Sequence, residues 1–274
     1  MHATWNLWTK QLGPHVCSVS LLGLLTAISA VVYAPFVAWL LAHDSWRPDA
    51  TALALIVGSG IIHVGYLGLL LRGYRVGGLS VVYPIARGTG PLLATASAVV
   101  IFAEHPTLRS VSGALSIAAG VLIVTTGGQR TRAKLGPGVA SGLATGVAIA
   151  VYTPWDGWAV KRAAVPPLVF DWGGEVVRVL LLSPFALRAP AGIAALARAQ
   201  APRVFGIALL SPPSYIRILL ALLQGAVGHI APAREVSILI GTWLGGHVLG
   251  EGDRTRRLVA AVAFAAGVVA LAFA

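Results

Sequence analysis

We predict an all-α integral membrane protein made of two inverted five-helix repeats, a ten-helix fold whose first helix is truncated. The prediction depends on three observations: the apolar composition, the division of the apolar residues into blocks of membrane-spanning length, and an internal repeat. The 274 residues are 57% hydrophobic and only 11% charged. In soluble proteins about a quarter of the residues are charged, so the chain is not of that class.

Nine apolar blocks follow one another along the chain with short connections. A helix needs roughly 20 apolar residues to cross a bilayer core of about 30 Å. Only helices and closed barrels satisfy their backbone hydrogen bonds in lipid, and the blocks lack the alternating polarity of barrel strands. All nine are therefore predicted helices. They cover residues 17–42, 52–71, 79–103, 107–127, 137–157, 165–187, 204–224, 227–250 and 256–274.

An internal repeat divides the chain. Arg87 and Glu104 return as Arg234 and Glu251, 147 positions later. Repeats of this kind inside an apolar chain are typical of membrane carriers built from two similar halves. We predict a first repeat at 1–127, a basic linker loop at 128–136 and a second repeat at 137–274. Both glutamates end their spans, where local pairing with an arginine is the favoured interpretation.

The N-terminal motif shows that the first repeat is shorter than the second. Trp5-Asn6 corresponds to Trp155-Asp156, but about a dozen apolar residues precede only the second copy. We expect ten spans in the complete protein, with residues 1–9 as the tail of the first; a genuine nine-span protein is the alternative. An odd number of spans per half places the halves in opposite orientations.

The basic residues indicate a membrane surface rather than a nucleic acid. The net charge of +11 comes from short clusters between apolar blocks, which is the distribution of loops beside anionic lipid. Counting those loops puts both termini outside. The single cysteine, Cys17, excludes an intramolecular disulfide and a cysteine-based metal cluster. No nucleotide-binding motif occurs. We predict no cofactor and no metal site.

Two corresponding segments are the first candidates for a binding site. Between Tyr83 and Pro91, two prolines and two glycines flank Arg87, a composition that predicts a broken helix. Its counterpart in the second half contains Arg234 and Glu235. Interrupted helices in matching positions indicate a central site, in which the arginines would engage an anionic group. The alternative is that both arginines extend to the interface and support structure.

The Trp5-Asn6 and Trp155-Asp156 pairs are the second candidate. Their polar side chains offer hydrogen bonds, and the indole rings offer faces for a cation or a ring. An aromatic belt at the membrane interface is the equally weighted alternative.

One span contributes secondary candidates. Asp171, Glu175 and Arg178 share one helical face by their spacing, and either a structural Glu175–Arg178 pair or a role with substrate or proton would explain them. His63, with Tyr66 one turn away, is a lone polar residue for which a helix-packing hydrogen bond is the default.

These motifs resemble those of a known family. The stretch from His2 to Asn6 with Lys10, the stretch Tyr83–Gly88, and the stretch Ala233–Ser237 are similar to EamA-like members of the drug/metabolite transporter superfamily. The resemblance implies ten helices in two inverted repeats, a central cavity, alternating access and cytoplasmic termini. The sequence departs from the family pattern in three places: the start of the first helix is missing, His229 stands where a tyrosine is expected, and span 204–224 contains prolines.

The function predicted is a secondary transporter in the plasma membrane. It would export a small polar metabolite, with proton exchange as an open coupling mode. The predicted partners are that substrate and the lipid bilayer, without nucleic acid, and a homodimer stays open. A non-transporting scaffold subunit and a polytopic lipid-modifying enzyme are the alternatives.

Overall fold

The computed structural model describes residues 2–12, 18–102, 107–125, 129–186, 190–224, 240, 244, 247–248 and 254–273. The elements formed by these residues are ten helices without any strand, which confirms the all-α class. The helices are α1 (His2–Leu12), α2 (Ser18–His43), α3 (Ala50–Val76), α4 (Leu79–Phe102), α5 (Leu108–Thr125), α6 (Gln129–Lys161), α7 (Pro167–Ala186), α8 (Pro190–Ala199), α9 (Ala201–Gln224) and α10 (Arg254–Ala272).

Eight of the nine predicted spans coincide with a helix, and the span 227–250 lies mostly outside the described residues. Two segments differ from the prediction. The short helix α8 was not expected, and the basic segment predicted as a loop at 128–136 is helical from Gln129 onward. Its Gln, Arg, Ala, Lys and Leu residues are good helix formers, so charge alone was a poor indicator of a loop.

The proline-rich segments do not break their helices. α4 continues past Pro84 to Phe102, and α9 contains Pro212 and Pro213. A proline removes one backbone donor, but the bonds on either side maintain each helix. The glycines of α4 permit close packing instead: Gly88 lies against Phe264 of α10, and Gly90 lies against Ile149 of α6. The predicted break at this candidate site is therefore wrong.

Three of the described helices are long and apolar enough to cross a membrane. They are Val19–His43, Ala50–Val76 and Ala201–Leu220. Residues on them with large apolar side chains are exposed, for example Val31, Phe36 and Ile61.

The chain forms two compact units. The first comprises residues 1–68 and 151–224, and the second comprises residues 69–150 and 225–274. Helices α3 and α6 each contribute residues to both units.

In the first unit, α2 packs against α7, α8 and α9, and α1 packs against α9. A core cluster joins α3, α6, α7 and α9 through Leu55, Val160, Phe170 and Leu219 with their neighbours. Small residues allow close contacts, since Gly23 of α2 lies beside Ala186 and Gly60 of α3 lies beside Val177.

In the second unit, α10 packs against α4 and α5. The core contains Ile85, Ile117, Phe264 and Val268, all fully shielded from solvent. The Ser116 hydroxyl donates a hydrogen bond of 2.8 Å to the carbonyl oxygen of Ala263 and so ties α5 to α10.

A tight turn joins α6 to α7. Ala164 has a φ of 50°, in the left-handed region that glycine favours. The amide of Val165 donates to the carbonyl oxygen of Ala159 at 3.2 Å. This bond caps the end of α6 and directs the chain into α7.

Candidate functional site

The first unit contains a polar cluster on the inner face of α3. Ser59, His63 and Tyr66 lie three and four positions apart and are all buried, so they share one face of the helix. The opposite face is apolar and exposed, with Leu53, Val57 and Ile61. This polarity is the reverse of that expected for a helix in a soluble protein.

Asp156 of α6 lies at the centre of this cluster and is fully buried, with 0% exposure. Its Oδ1 accepts a hydrogen bond of 2.7 Å from the Ser59 hydroxyl. Its Oδ2 accepts a hydrogen bond from the Tyr215 hydroxyl of α9. Hydrogen bonds that donate to a carboxylate favour its charged form over its neutral form. The two hydroxyls therefore offset part of the cost of burying this carboxyl group.

His63 faces Asp156 with its second ring nitrogen. The Nδ1 atom lies 2.9 Å from the carbonyl oxygen of Ser59, which can only accept, so Nδ1 carries a hydrogen. The Nε2 atom lies 3.8 Å from Asp156 Oδ2, and no described residue forms a hydrogen bond with it. When His63 is neutral, its Nε2 atom accepts hydrogen bonds, and so does Asp156 Oδ2, so neither atom can donate to the other.

Aromatic rings surround the gap. The His63 ring lies 4.5 Å from Tyr152 of α6 and 5.3 Å from Tyr215, measured between ring centroids. Tyr66 packs edge-on against Tyr152 at 5.2 Å. We call Ser59, His63, Tyr66, Tyr152, Asp156 and Tyr215 the polar cluster.

The predicted charged face of α7 is buried in the same unit. Glu175 and Arg178 form an ion pair of 2.9 Å, a contact that is compatible with either predicted role. Asp171 is buried beside them. Arg178 also acts electrostatically on His63 and Asp156, so the face of α7 and the polar cluster belong to one charged region.

Among the described residues of this region, buried acidic side chains outnumber buried guanidinium groups. Asp156, Asp171 and Glu175 are buried carboxylates, and Arg178 is the one buried guanidinium in the described part of the first unit. The buried part of this region therefore holds three carboxyl groups and one guanidinium. Among the described residues, no group of three His, Cys, Asp or Glu side chains is arranged to hold a metal ion.

The remaining predicted residues of the first unit are dispersed. Trp5 and Asn6 are buried on α1. Trp155 is 39% exposed, and its indole nitrogen donates to the carbonyl oxygen of Leu55 at 2.9 Å. Its ring lies against Gly58 of α3, so Trp155 joins α6 to α3.

The arginine candidates lie elsewhere. Tyr83 and Arg87 are buried in the second unit, where the Arg87 guanidinium lies 5.6 Å from the Tyr83 ring centroid. Arg234 and Glu235 lie outside the described residues, as do Glu104 and Glu251.

Sequence reasoning missed Ser59, Tyr152 and Tyr215 as members of the site. One signal was present for Ser59: with His63 and Tyr66 it forms a polar stripe on an otherwise apolar helix. Tyr215 gives no such local signal, because its contact with Asp156 joins residues 59 positions apart.

Comparisons with known proteins show the fold alone. No family model and no curated protein matches the chain. Seventeen chains of solved structures do match. One crystal structure is similar over 98% of this chain and 95% of its own, with a TM-score of 0.60 and 19% sequence identity. The chain therefore shares its fold with a protein of experimentally determined structure over almost its whole length.

Proposed function

We propose that the protein is a multi-pass secondary transporter that moves a small polar metabolite outward across the plasma membrane by alternating access. The observation that carries this proposal is a charged region buried among helices whose outer faces are apolar. The polar cluster and the charged face of α7 would line the substrate path of the first unit.

The apolar outer faces support a membrane location. Ile61 is 53% exposed, and Leu180 and Trp39 are also exposed. Large exposed apolar surfaces mark contact with another apolar phase. Two of the three helices of sufficient length and hydropathy lie wholly in the first unit, and the third begins there.

The buried charges support a function rather than a structural role alone. A charged side chain at the centre of a bilayer costs roughly 3 kcal/mol on insertion scales. Asp156, Asp171, Glu175 and Arg178 are all buried, and among the described residues Glu175 and Arg178 are the only two of these four that pair with each other. Charges retained at this cost normally lie on substrate or ion pathways.

The internal repeat supports alternating access. Two similar halves with an odd number of spans each would have opposite orientations, an architecture that lets one path open to either side in turn. The inverted ten-helix arrangement and the EamA-like assignment belong to this proposal. The buried carboxylates would also permit proton exchange as the coupling mode.

An enzymatic role for the Ser59, His63 and Asp156 side chains has less support. In a hydrolase triad the histidine accepts the serine proton and the carboxylate holds its other nitrogen. Here the Ser59 hydroxyl donates directly to Asp156, and His63 Nδ1 donates to a carbonyl oxygen. Ser59 is also buried, so a substrate has little access to its hydroxyl.

Transport into proteoliposomes tests the proposal. Vesicles that contain the pH dye pyranine would be challenged with small amines, amino acids, organic acids and sugars, with radiolabelled uptake measured in parallel for electroneutral solutes. We expect one class to give protein-dependent flux that Asp156→Asn abolishes. Asp44→Asn is the matched control, because it makes the same change at an exposed position. Absence of flux for every class would favour the scaffold alternative, and flux unaffected by Asp156→Asn would remove this site from the path.

A further inference from the structure

The gap between His63 and Asp156 lacks a donor. His63 Nε2 and Asp156 Oδ2 face each other across 3.8 Å. Because Nδ1 of His63 already donates to the carbonyl oxygen of Ser59, neutral His63 presents a lone pair at Nε2. Both groups are more than nine-tenths buried, and Nε2 has no hydrogen-bond partner among the described residues. A third group that carries hydrogens can bridge two buried acceptors in this position.

The chemistry of that third group follows from its neighbours. It has to donate in two directions, to Nε2 and to Oδ2. A positive charge is favoured, because the region buries three carboxyl groups and only one guanidinium among the described residues. The rings of Tyr152 and Tyr215, which pack against His63, add faces that attract cations. Arg178 is already paired with Glu175.

We propose that His63 and Asp156 form a two-acceptor seat for the protonated amine of a small organic ligand. This inference rests on the proposed function and assigns a chemical class to its substrate. One N–H of the ammonium donates to His63 Nε2 and a second donates to Asp156 Oδ2. The hydroxyls of Ser59 and Tyr215 continue to donate to the carboxylate, so they orient it toward the ligand.

A ligand series on the wild-type protein separates this seat from a general cation site. The probes are n-propylammonium, which has three N–H groups, tetramethylammonium, which has none, and 1-propanol, which is neutral. Binding to the full chain in lipid nanodiscs would be titrated by saturation-transfer NMR. A ligand with about four heavy atoms is expected to have a Kd of about 1 mM. We expect n-propylammonium to bind and the other two to bind at least tenfold more weakly.

Variants locate the binding site. Loss of a charge-assisted hydrogen bond weakens binding by about tenfold or more, so we expect this loss for Asp156→Asn and for His63→Gln, with Asp44→Asn unchanged. Thermal unfolding would confirm that each variant is folded. If a variant is not folded, the ligand series on the wild-type protein still tests the proposal. Equal binding of n-propylammonium and tetramethylammonium, binding of neither, or full binding by Asp156→Asn would overturn the proposal.

The result is independent of the transport assay. Selective ammonium binding without flux of any solute would keep the seat and refute the transporter. Flux of other solutes without ammonium binding would refute the amine seat and keep the transporter. A response to proton concentration alone, with no ammonium binding, would assign the gap to a proton and overturn the amine seat.

Discussion

Gly60 lies where α3 approaches α7 closely, and its replacement by alanine should force the two helices apart. A Cβ atom at this position would lie 2.7 Å from Cβ of Val177 and 3.2 Å from the carbonyl oxygen of Gly174. Carbon atoms in contact normally lie about 3.5–4.0 Å apart. Because Val177 Cβ and the Gly174 carbonyl are fixed to the backbone of α7, neither can rotate away. The helices would have to separate by about 1 Å to restore normal contact.

Gly65→Ala supplies the matched control. Gly65 lies on the same helix, and a Cβ added there would meet nothing within 4 Å. Both replacements gain about 1 kcal/mol of helix propensity, so this gain cancels in the comparison. Overpacking of an interior typically costs about 1–3 kcal/mol. We therefore expect Gly60→Ala to be less stable than Gly65→Ala by about that amount.

Thermal unfolding in one detergent, followed by tryptophan fluorescence, measures this difference. For a chain of this size 1 kcal/mol corresponds to about 2–4 °C, so a difference of 2 kcal/mol would separate the midpoints by about 4–8 °C. Equal midpoints for the two variants, or a higher midpoint for Gly60→Ala, would refute the packing of α3 against α7 described above.

Three further predictions concern single side chains. Arg178→Met leaves the Glu175 carboxylate buried without its partner and should lower the free energy of unfolding by about 3–5 kcal/mol. In denaturant titrations, the double variant with Glu175→Leu should recover most of this loss. A double variant no more stable than Arg178→Met would contradict the pairing. Tyr215→Phe removes a donor from a buried carboxylate and should cost about 1–3 kcal/mol. Tyr33→Phe removes a bond to a backbone carbonyl near the surface and should cost under about 1 kcal/mol, so equal losses for the two tyrosines would count against the cluster geometry. Ala164→Gly should raise the unfolding midpoint, because a φ of 50° costs alanine about 1 kcal/mol; a lower midpoint would show that the turn is not strained.

Hydropathy and helical spacing predict a large part of this structure. They locate α2 and α3 to within a few residues and place Asp171, Glu175 and Arg178 together on one buried face of α7. These are properties of a single helix. The length of an apolar block indicates whether its helix can span a bilayer, and the period of 3.6 residues indicates which side chains share a face.

Which helices contact one another depends on residues that are far apart in the sequence. Asp156 bonds to Ser59, 97 positions away, and no spacing rule connects them. Glycine is the clearest case of a misleading local signal. Gly88 and Gly90 predict a break in α4, yet the space they leave is filled by Phe264 and Ile149 from other helices. The same residue type permits a break or a close contact, and only the partner decides between them.

The reversed polarity of α3 has a consequence for mutational tolerance. In a soluble protein the exposed positions accept most substitutions and the buried positions accept few. In the proposed membrane location, the exposed Val57 and Ile61 of α3 should accept other apolar residues but reject lysine or aspartate, since a charge there would face lipid at a cost of roughly 3 kcal/mol. The buried Ser59 and His63 should reject apolar residues instead. A complete substitution scan of this helix would therefore show two kinds of position that alternate with a period of 3.6 residues. Exposed positions would tolerate any apolar residue, and buried positions would tolerate only residues with similar hydrogen-bonding groups.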